Sequence, residues 1–258
     1  MSKIVWRNIP NEEYDDLWKR FPALRSKANI CPTCNDDFYY NLNGEMHECD
    51  CETQKGLRRH YLYANIGIRY HSLCFDDLYE EKDELRVFLE DYIKNFDSNA
   101  RYGRGMIFHG PLGTGKTFAQ ILILKSLIKK GYKGWFDSFA SVVNQYSSTD
   151  TKEHLMSNVR SADIFTLDEV TDPMSSKQHE YFSEVYENVI RYRVENSLPT
   201  LIGTNLTPEE HEKWYPRVWS LLNMVQIPVN VSGQDVRATQ AKDIVDMLIT
   251  NKEVRPLR

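Results

Sequence analysis

The segment HGPLGTGKT, residues 109–117, carries Gly110, Gly115, Lys116 and Thr117 in the pattern G-x-x-x-x-G-K-[ST]. Glycines let a backbone wrap a phosphate group, so that successive N–H groups and a helix N-terminus face the anion. Gly110, Pro111, Gly113, Thr114 and Gly115 form this cradle, with Phe118 just beyond it. Lys116 reaches the outer phosphates as a point charge, and Thr117 offers a hydroxyl to Mg²⁺. The ligand expected is a nucleoside triphosphate, ATP. The loop alone does not separate a kinase from a motor or a switch.

The stretch IFTLDE, residues 164–169, narrows the chemistry. An apolar strand ending in a carboxylate places Asp168 to hold Mg²⁺ through water. Glu169 beside it can orient and deprotonate an attacking water. An acidic pair of this kind favours hydrolysis over small-molecule phosphorylation, which must keep water out. The next apolar strand ends in GTN, and two readings of Asn205 stand side by side. It positions the water and senses the γ-phosphate, or it is a turn residue before a helix capped by Thr207 and Glu210.

A second constellation lies upstream. Cys31, Cys34, Cys49 and Cys51 read C-x₂-C, fourteen residues, then C-x-C. Two short knuckles joined by a hairpin turning at Asn43-Gly44 suit tetrahedral zinc. Four sulfurs close the coordination shell, so the site reads as structural. His47 is an alternative ligand, and Cys74 reads as a core residue.

These residues need elements to hold them. GMIFHG, YKGWFD, ADIFTLDE, LPTLIGTN and MVQIPVNV read as strands. KTFAQILILKSLIKKG, SFASVVNQY and HEYFSEVYENVIRYRVEN read as helices. Strands alternating with helices imply a mainly parallel, three-layer α/β fold with a five-stranded sheet. The division expected is 1–60 for a helical and zinc-binding partner module, 61–100 for a connector, and 101–258 for the nucleotide domain. In the connector, Leu85, Phe88, Leu89, Tyr92 and Ile93 share one helical face. Within 1–27, NEEYDDLWKRF reads as a short helix. Lys125, Lys129, Lys130 and Lys133 read as a solvated helix end.

The 258 residues are 41% apolar and 27% charged, enough for one sizeable core. A net charge of −5 excludes a chain that binds nucleic acid by bulk charge. No apolar run reaches the ~20 residues of a membrane span, and the acidic start is unlike a signal peptide. A reducing cytoplasm is the expected compartment.

Taken in order, CPTC…CDC, IGIRYHSLCFDDL, GPLGTGKT, FTLDE, LPTLIGTN, YPRVWS and GQDVR resemble the DnaC/DnaI-type helicase loaders and their phage relatives among the AAA+ ATPases. That group also includes the IstB-type transposition helpers. The likeness covers about residues 28–245, and a zinc knuckle ahead of the ATPase core is its more specific part. It implies an AAA+ core that hydrolyses ATP, Asn205 as first sensor, Arg237 as second sensor on the γ-phosphate, and Phe75 near the base. It also implies a replicative DNA helicase as partner, in a bacterial host cell, with single-stranded DNA and an oligomeric assembly as further partners. One departure stands out. The family's G-E-R-V-x-S-R-L offers its second arginine to a neighbour's ATP, and here the segment is YPRVWSLL. Arg217 matches the first arginine, and Leu221 replaces the second. Either Arg217 substitutes from one turn earlier, or no trans-activated ring is used.

Three functions follow: a helicase loader, a duplex-binding transposition helper, and an ATP-liganded adaptor or inhibitor of a replication protein. Net acidity and Leu221 count against the second. Intact Lys116, Asp168 and Glu169 count against the third.

Overall fold

The computed structural model describes residues 4–9, 31, 33–35, 37, 39–78, 83–173 and 175–233. The NEEYDDLWKRF segment and Arg237 lie outside them.

Among the described residues, the first elements are an antiparallel hairpin, β1 (Tyr39–Leu42) and β2 (Glu45–Glu48). Asn43 and Gly44 have φ of 55° and 90°, the two positive angles of a tight primed turn, and the Gly44 N–H donates to Asn41 Oδ1 at 2.9 Å. Helix α1 (Cys51–Tyr63) follows, then short turns at Ile68–Tyr70 and Phe75–Asp77, then α2 (Asp83–Lys94) and α3 (Phe96–Arg101). One helix thus carries the ligand candidate Cys51 and the buried core residues Leu57 and Tyr61, running through residue 60 without a break.

From there strands and helices alternate: β3 (Gly105–His109), α4 (Lys116–Lys129), β4 (Gly134–Ser138), α5 (Phe139–Tyr146), α6 (Thr149–Ser161), β5 (Ile164–Val170), α7 (Ser176–Glu195), β6 (Thr200–Thr204), α8 (Pro208–Trp214), α9 (Pro216–Val225) and β7 (Gln226–Asn230). The sheet order is β4-β5-β6-β3-β7, and every pairing is parallel. Parallel strands need both faces covered. Met106 and Phe108 of β3 accordingly enter one core, and Ile107 between them enters the other. Because all strands point one way, the loop after β3, the acidic end of β5 and the residue after β6 share one edge.

Helix α4 is apolar on nearly every side, which marks a helix with no solvent face. The sheet covers one side, and α1 and α2 cover the other. Lys125 within it is buried, contrary to a solvated helix end. Its ammonium donates to the carbonyls of Tyr70, His71 and Leu73 at 3.0, 2.6 and 2.6 Å and lies 4.9 Å from the Tyr61 ring centre. Carbonyls in an irregular turn need donors, and Lys125 supplies them from the helix, Tyr70 O also taking the Leu73 N–H at 3.3 Å.

The same segment covers an exposed sheet edge. The Phe136 N–H of β4 donates to Ala64 O, and Asn65 Nδ2 donates to Phe136 O, both at 2.9 Å. On the far side, the fully buried Arg193 of α7 donates to Thr200 Oγ1, Val159 O, Ala162 O and Pro199 O. It thereby anchors the end of α6 and the start of β6. Burial lowers its pKa to about 9.

Three further expectations change. Phe88 is 39% exposed, whereas Leu89, Tyr92 and Ile93 are buried. Cys74 is half-buried and caps the Phe75–Asp77 turn, its thiol donating to Asp77 Oδ2 at 3.4 Å, so it is not a core residue. Met224 and Val225 end α9 and do not begin the last strand.

Candidate nucleotide and metal sites

The phosphate loop leaves β3 through Gly110 at φ 149° and enters α4 through Gly115 at φ 96°. A Cβ on Gly110 would lie 2.2 Å from Val231 O, so no other residue fits where the loop crosses the exit of β7. Lys116, the first residue of α4, turns back over the loop. Its Nζ donates to Gly110 O and Pro111 O at 2.7 Å and to Asn205 Oδ1 at 2.6 Å. Asn205 itself is exposed, directly after β6.

Strand β6 lies between β3 and β5, which places Asn205 between the loop and the acidic pair. Thr117 Oγ1 donates to Asp168 Oδ2 at 2.6 Å, and Gln120 Nε2, one turn on, donates to Asp168 Oδ1 at 2.7 Å. Asp168 is buried beneath these contacts. Glu169 is the opposite: exposed, with φ 58°. The register of β5 against β6 shifts between Leu167 and Val170, so a bulge turns Glu169 out of the alternating pattern. A hydrogen-bonded carboxylate below and a free-standing one above is the division of labour that cation binding and water activation require.

Thr207 and Glu210 form the reciprocal cap of α8, as the motif predicts. Both readings of Asn205 are therefore compatible, since it precedes a capped helix and contacts Lys116. Gln120 and Gly203 escape a sequence reading. A Cβ on Gly203 would meet Asp168 Oδ1 at 2.1 Å and Gln120 Nε2 at 2.3 Å, so the glycine clears space for that pair. Only the strand pairing reveals this.

Phe118 is buried at the base of α4, Thr114 is buried with its hydroxyl on Pro111 O, and Pro111 is exposed. Phe75 packs half-buried against the core that contains Tyr61 and Leu89. Arg217 on α9 is outside the cluster: its side chain is 82% exposed and lies 3.6 Å from Glu187. With Arg191, Pro216, Ser220 and Leu221 it lines a shallow groove of about 470 Å³.

Upstream, the Sγ atoms of Cys31, Cys34, Cys49 and Cys51 all lie within 4.8 Å of one another. The Cys31–Cys49 and Cys34–Cys51 separations are 3.7 and 3.4 Å. Tetrahedral zinc with ~2.3 Å bonds would set sulfurs ~3.8 Å apart, so the donor set fits. Amide donation from Cys34 and Thr33 lowers the Cys31 thiol to about 7, and burial beside other sulfurs pushes Cys51 up to about 12. A divalent cation removes the mutual repulsion that raises Cys51. His47 is outside this group and stacks on Tyr40 across the hairpin.

The fold matches solved structures. The crystal structure of the DnaC helicase loader superposes with a TM-score of 0.56 at 21% identity, over 64% of this chain and 100% of that one. The core has the DnaC/DnaI loader fold. The replication initiator DnaA bound to AMPPCP and single-stranded DNA shares the fold, with TM-score 0.52 and 17% identity over 73% of this chain and 57% of that one. In sequence, the replicative helicase loader DnaI of Bacillus subtilis (strain 168) is 26% identical over 124 residues. That match spans 46% of this chain and 39% of the curated loader. No family model matches. The DnaC/DnaI-like fold thus stands on a parallel five-stranded sheet, and the cysteine cluster upstream fits a zinc module. Among the described residues, no helix is long and apolar enough to cross a membrane.

Proposed function

We propose that the chain is an ATP-binding and ATP-hydrolysing helicase loader that engages a replicative DNA helicase. The observation that carries the reading is the joining of Lys116, Asn205, Thr117 and Asp168 at one sheet edge, on the fold of known loaders. The loop N–H groups cradle the phosphates, and Lys116 exchanges its carbonyl partners for phosphate oxygens. Thr117 and Asp168 would hold Mg²⁺, which neutralises charge developing on the phosphates. Glu169 takes the proton of the attacking water, and Asn205 orients that water. Arg237 contributes from the same chain, and Phe75 lies near the base. The cysteine hairpin, as a zinc module, grips the helicase, with residues 1–60 as the partner module. Single-stranded DNA is a further ligand of the assembly, as it is of the DnaA neighbour.

Arg217 is the arginine that reaches a neighbour's ATP, from the exposed groove beside Leu221. Its ion pair with Glu187 favours a second reading, in which ATP is chiefly a structural ligand of an adaptor. Turnover of ATP by the purified chain, alone and with the replicative helicase, separates the two. A loader binds the helicase and hydrolyses ATP, with turnover lost in Lys116→Ala. A chain that never associates with the helicase, with or without ATP, is not a loader.

A further inference from the structure

His109 is the last residue of β3, immediately before the phosphate loop, and its ring is buried. Its Nδ1 lies 3.0 Å from Leu206 O. A carbonyl only accepts, so Nδ1 carries a proton and donates. Its own carbonyl accepts the Val231 N–H at 2.7 Å. One residue therefore ties together the phosphate loop, the Asn205 loop and the exit of β7.

Lys116 is the second tie between the phosphate loop and Asn205. That tie is releasable, because an ammonium turning toward phosphate gives up neutral partners for charged ones. The His109 bond has no such alternative, since a buried imidazole donating to a main-chain carbonyl gains nothing by leaving it. We propose that His109 is a positioning residue that holds the Asn205 loop in register with the phosphate loop while Lys116 changes partners. The proposal rests on the reading of the site as an ATPase.

The remaining ring atoms extend the tie to the helix pair α8–α9. The His109 ring lies 6.4 Å from His211 of α8 and 6.2 Å from Trp219 of α9, centre to centre. With Nδ1 protonated, a neutral His109 has a lone pair at Nε2, and this buried atom has no hydrogen-bond partner. On His211, Nε2 lies 3.2 Å from the Tyr186 hydroxyl. The buried phenol keeps its proton, and in the tautomer that accepts it at Nε2 the imidazole proton sits on His211 Nδ1, also buried and without a hydrogen-bond partner. The two unpartnered nitrogens lie on neighbouring rings. Burial lowers both imidazoles, His211 to about 3; on His109 the Leu206 hydrogen bond and Glu209 pull upward and Lys116 pushes down.

Nitrogen-15 NMR of the histidine side chains in the full chain tests the arrangement without any substitution. The neutral His109 ring is expected to carry its proton on Nδ1, and His211 to stay neutral down to about pH 5. A neutral His109 that carries its proton on Nε2 overturns the proposal. Steady-state ATP hydrolysis tests the consequence. His109→Leu removes the donor, and kcat is expected to fall about 10- to 100-fold while KM for ATP stays within about 3-fold. His109→Asn restores a donor near the Nδ1 position and is expected to recover most of kcat. A folded His109→Leu chain with wild-type kcat, or an Asn chain as impaired as the Leu chain, overturns the positioning role. Absence of ATP binding in the wild-type chain instead defeats the ATPase reading, and the NMR result is independent of it.

Discussion

The Lys116 ammonium donates to Asn205 Oδ1 at 2.6 Å, linking two residues 89 positions apart across neighbouring parallel strands. The contact joins the group that would meet the outer phosphates to the group that would hold the water. Asn205→Ala removes this partner while leaving Gly110 O and Pro111 O to hold Lys116. ATP turnover is expected to fall about 10²-fold with ATP affinity little changed, as measured by single-turnover hydrolysis beside equilibrium binding. Equal losses in both would mean that Asn205 serves only to bind.

Glu169→Gln keeps the shape of the bulged residue and removes its basicity. Hydrolysis is expected to drop about 10²- to 10⁴-fold, with ATP retained on the protein long enough to isolate the complex. Unchanged turnover would assign the base elsewhere.

The four sulfurs predict one zinc per chain by elemental analysis, lost when Cys31 and Cys49 are both replaced by Ser. Helix α1 starts at Cys51 and packs on α4, so losing the metal should also lower the melting temperature of the core. A metal-free chain that melts like wild type would make the cysteines ordinary buried thiols.

Lys125→Met keeps the apolar stem and deletes the ammonium, taking the donor from the carbonyls of His71 and Leu73 and leaving Tyr70 O only the Leu73 N–H. Destabilisation of about 3 kcal/mol is expected in urea unfolding. A loss under about 0.5 kcal/mol would place those carbonyls in water.

His211 is buried neutral, its pKa lowered to about 3 by burial. Between about pH 6.5 and pH 3 the unfolded chain binds a proton there that the folded chain does not. Stability should therefore fall as pH drops through this window, by up to about 1.4 kcal/mol per unit from this residue. The slope should be shallower by that amount in His211→Phe, compared by urea unfolding at pH 6 and pH 5. Parallel slopes in the two chains would sink the assignment.

Much of the architecture was legible because its signals are local. The alternation of strand and helix, the Asn43-Gly44 turn and the Thr207–Glu210 cap each depend on a few adjacent residues. Helix α6 (TDTKEHLMSNVRS) left a weaker trace, since only Leu155, Asn158 and Val159 are buried on it. Phe88 shows the limit of periodicity: it shares a stripe with Leu89 and Tyr92, yet nothing packs over it tightly enough to bury it.

What the sequence located by itself was the loop, the acidic pair and the cysteine knuckles, because each is a short run whose spacing is set by backbone geometry. Tertiary structure decided which of these runs meet. The strand order puts β6 between β3 and β5, and so brings Asn205 to Lys116 and makes Gly203 a clearance for Asp168. It also buries Lys125, His109 and Arg193, whose polar groups look solvated in a linear chain. The physical reason is that burial and hydrogen bonding belong to pairs of distant segments, and a side chain's charge has no partner until the fold supplies one.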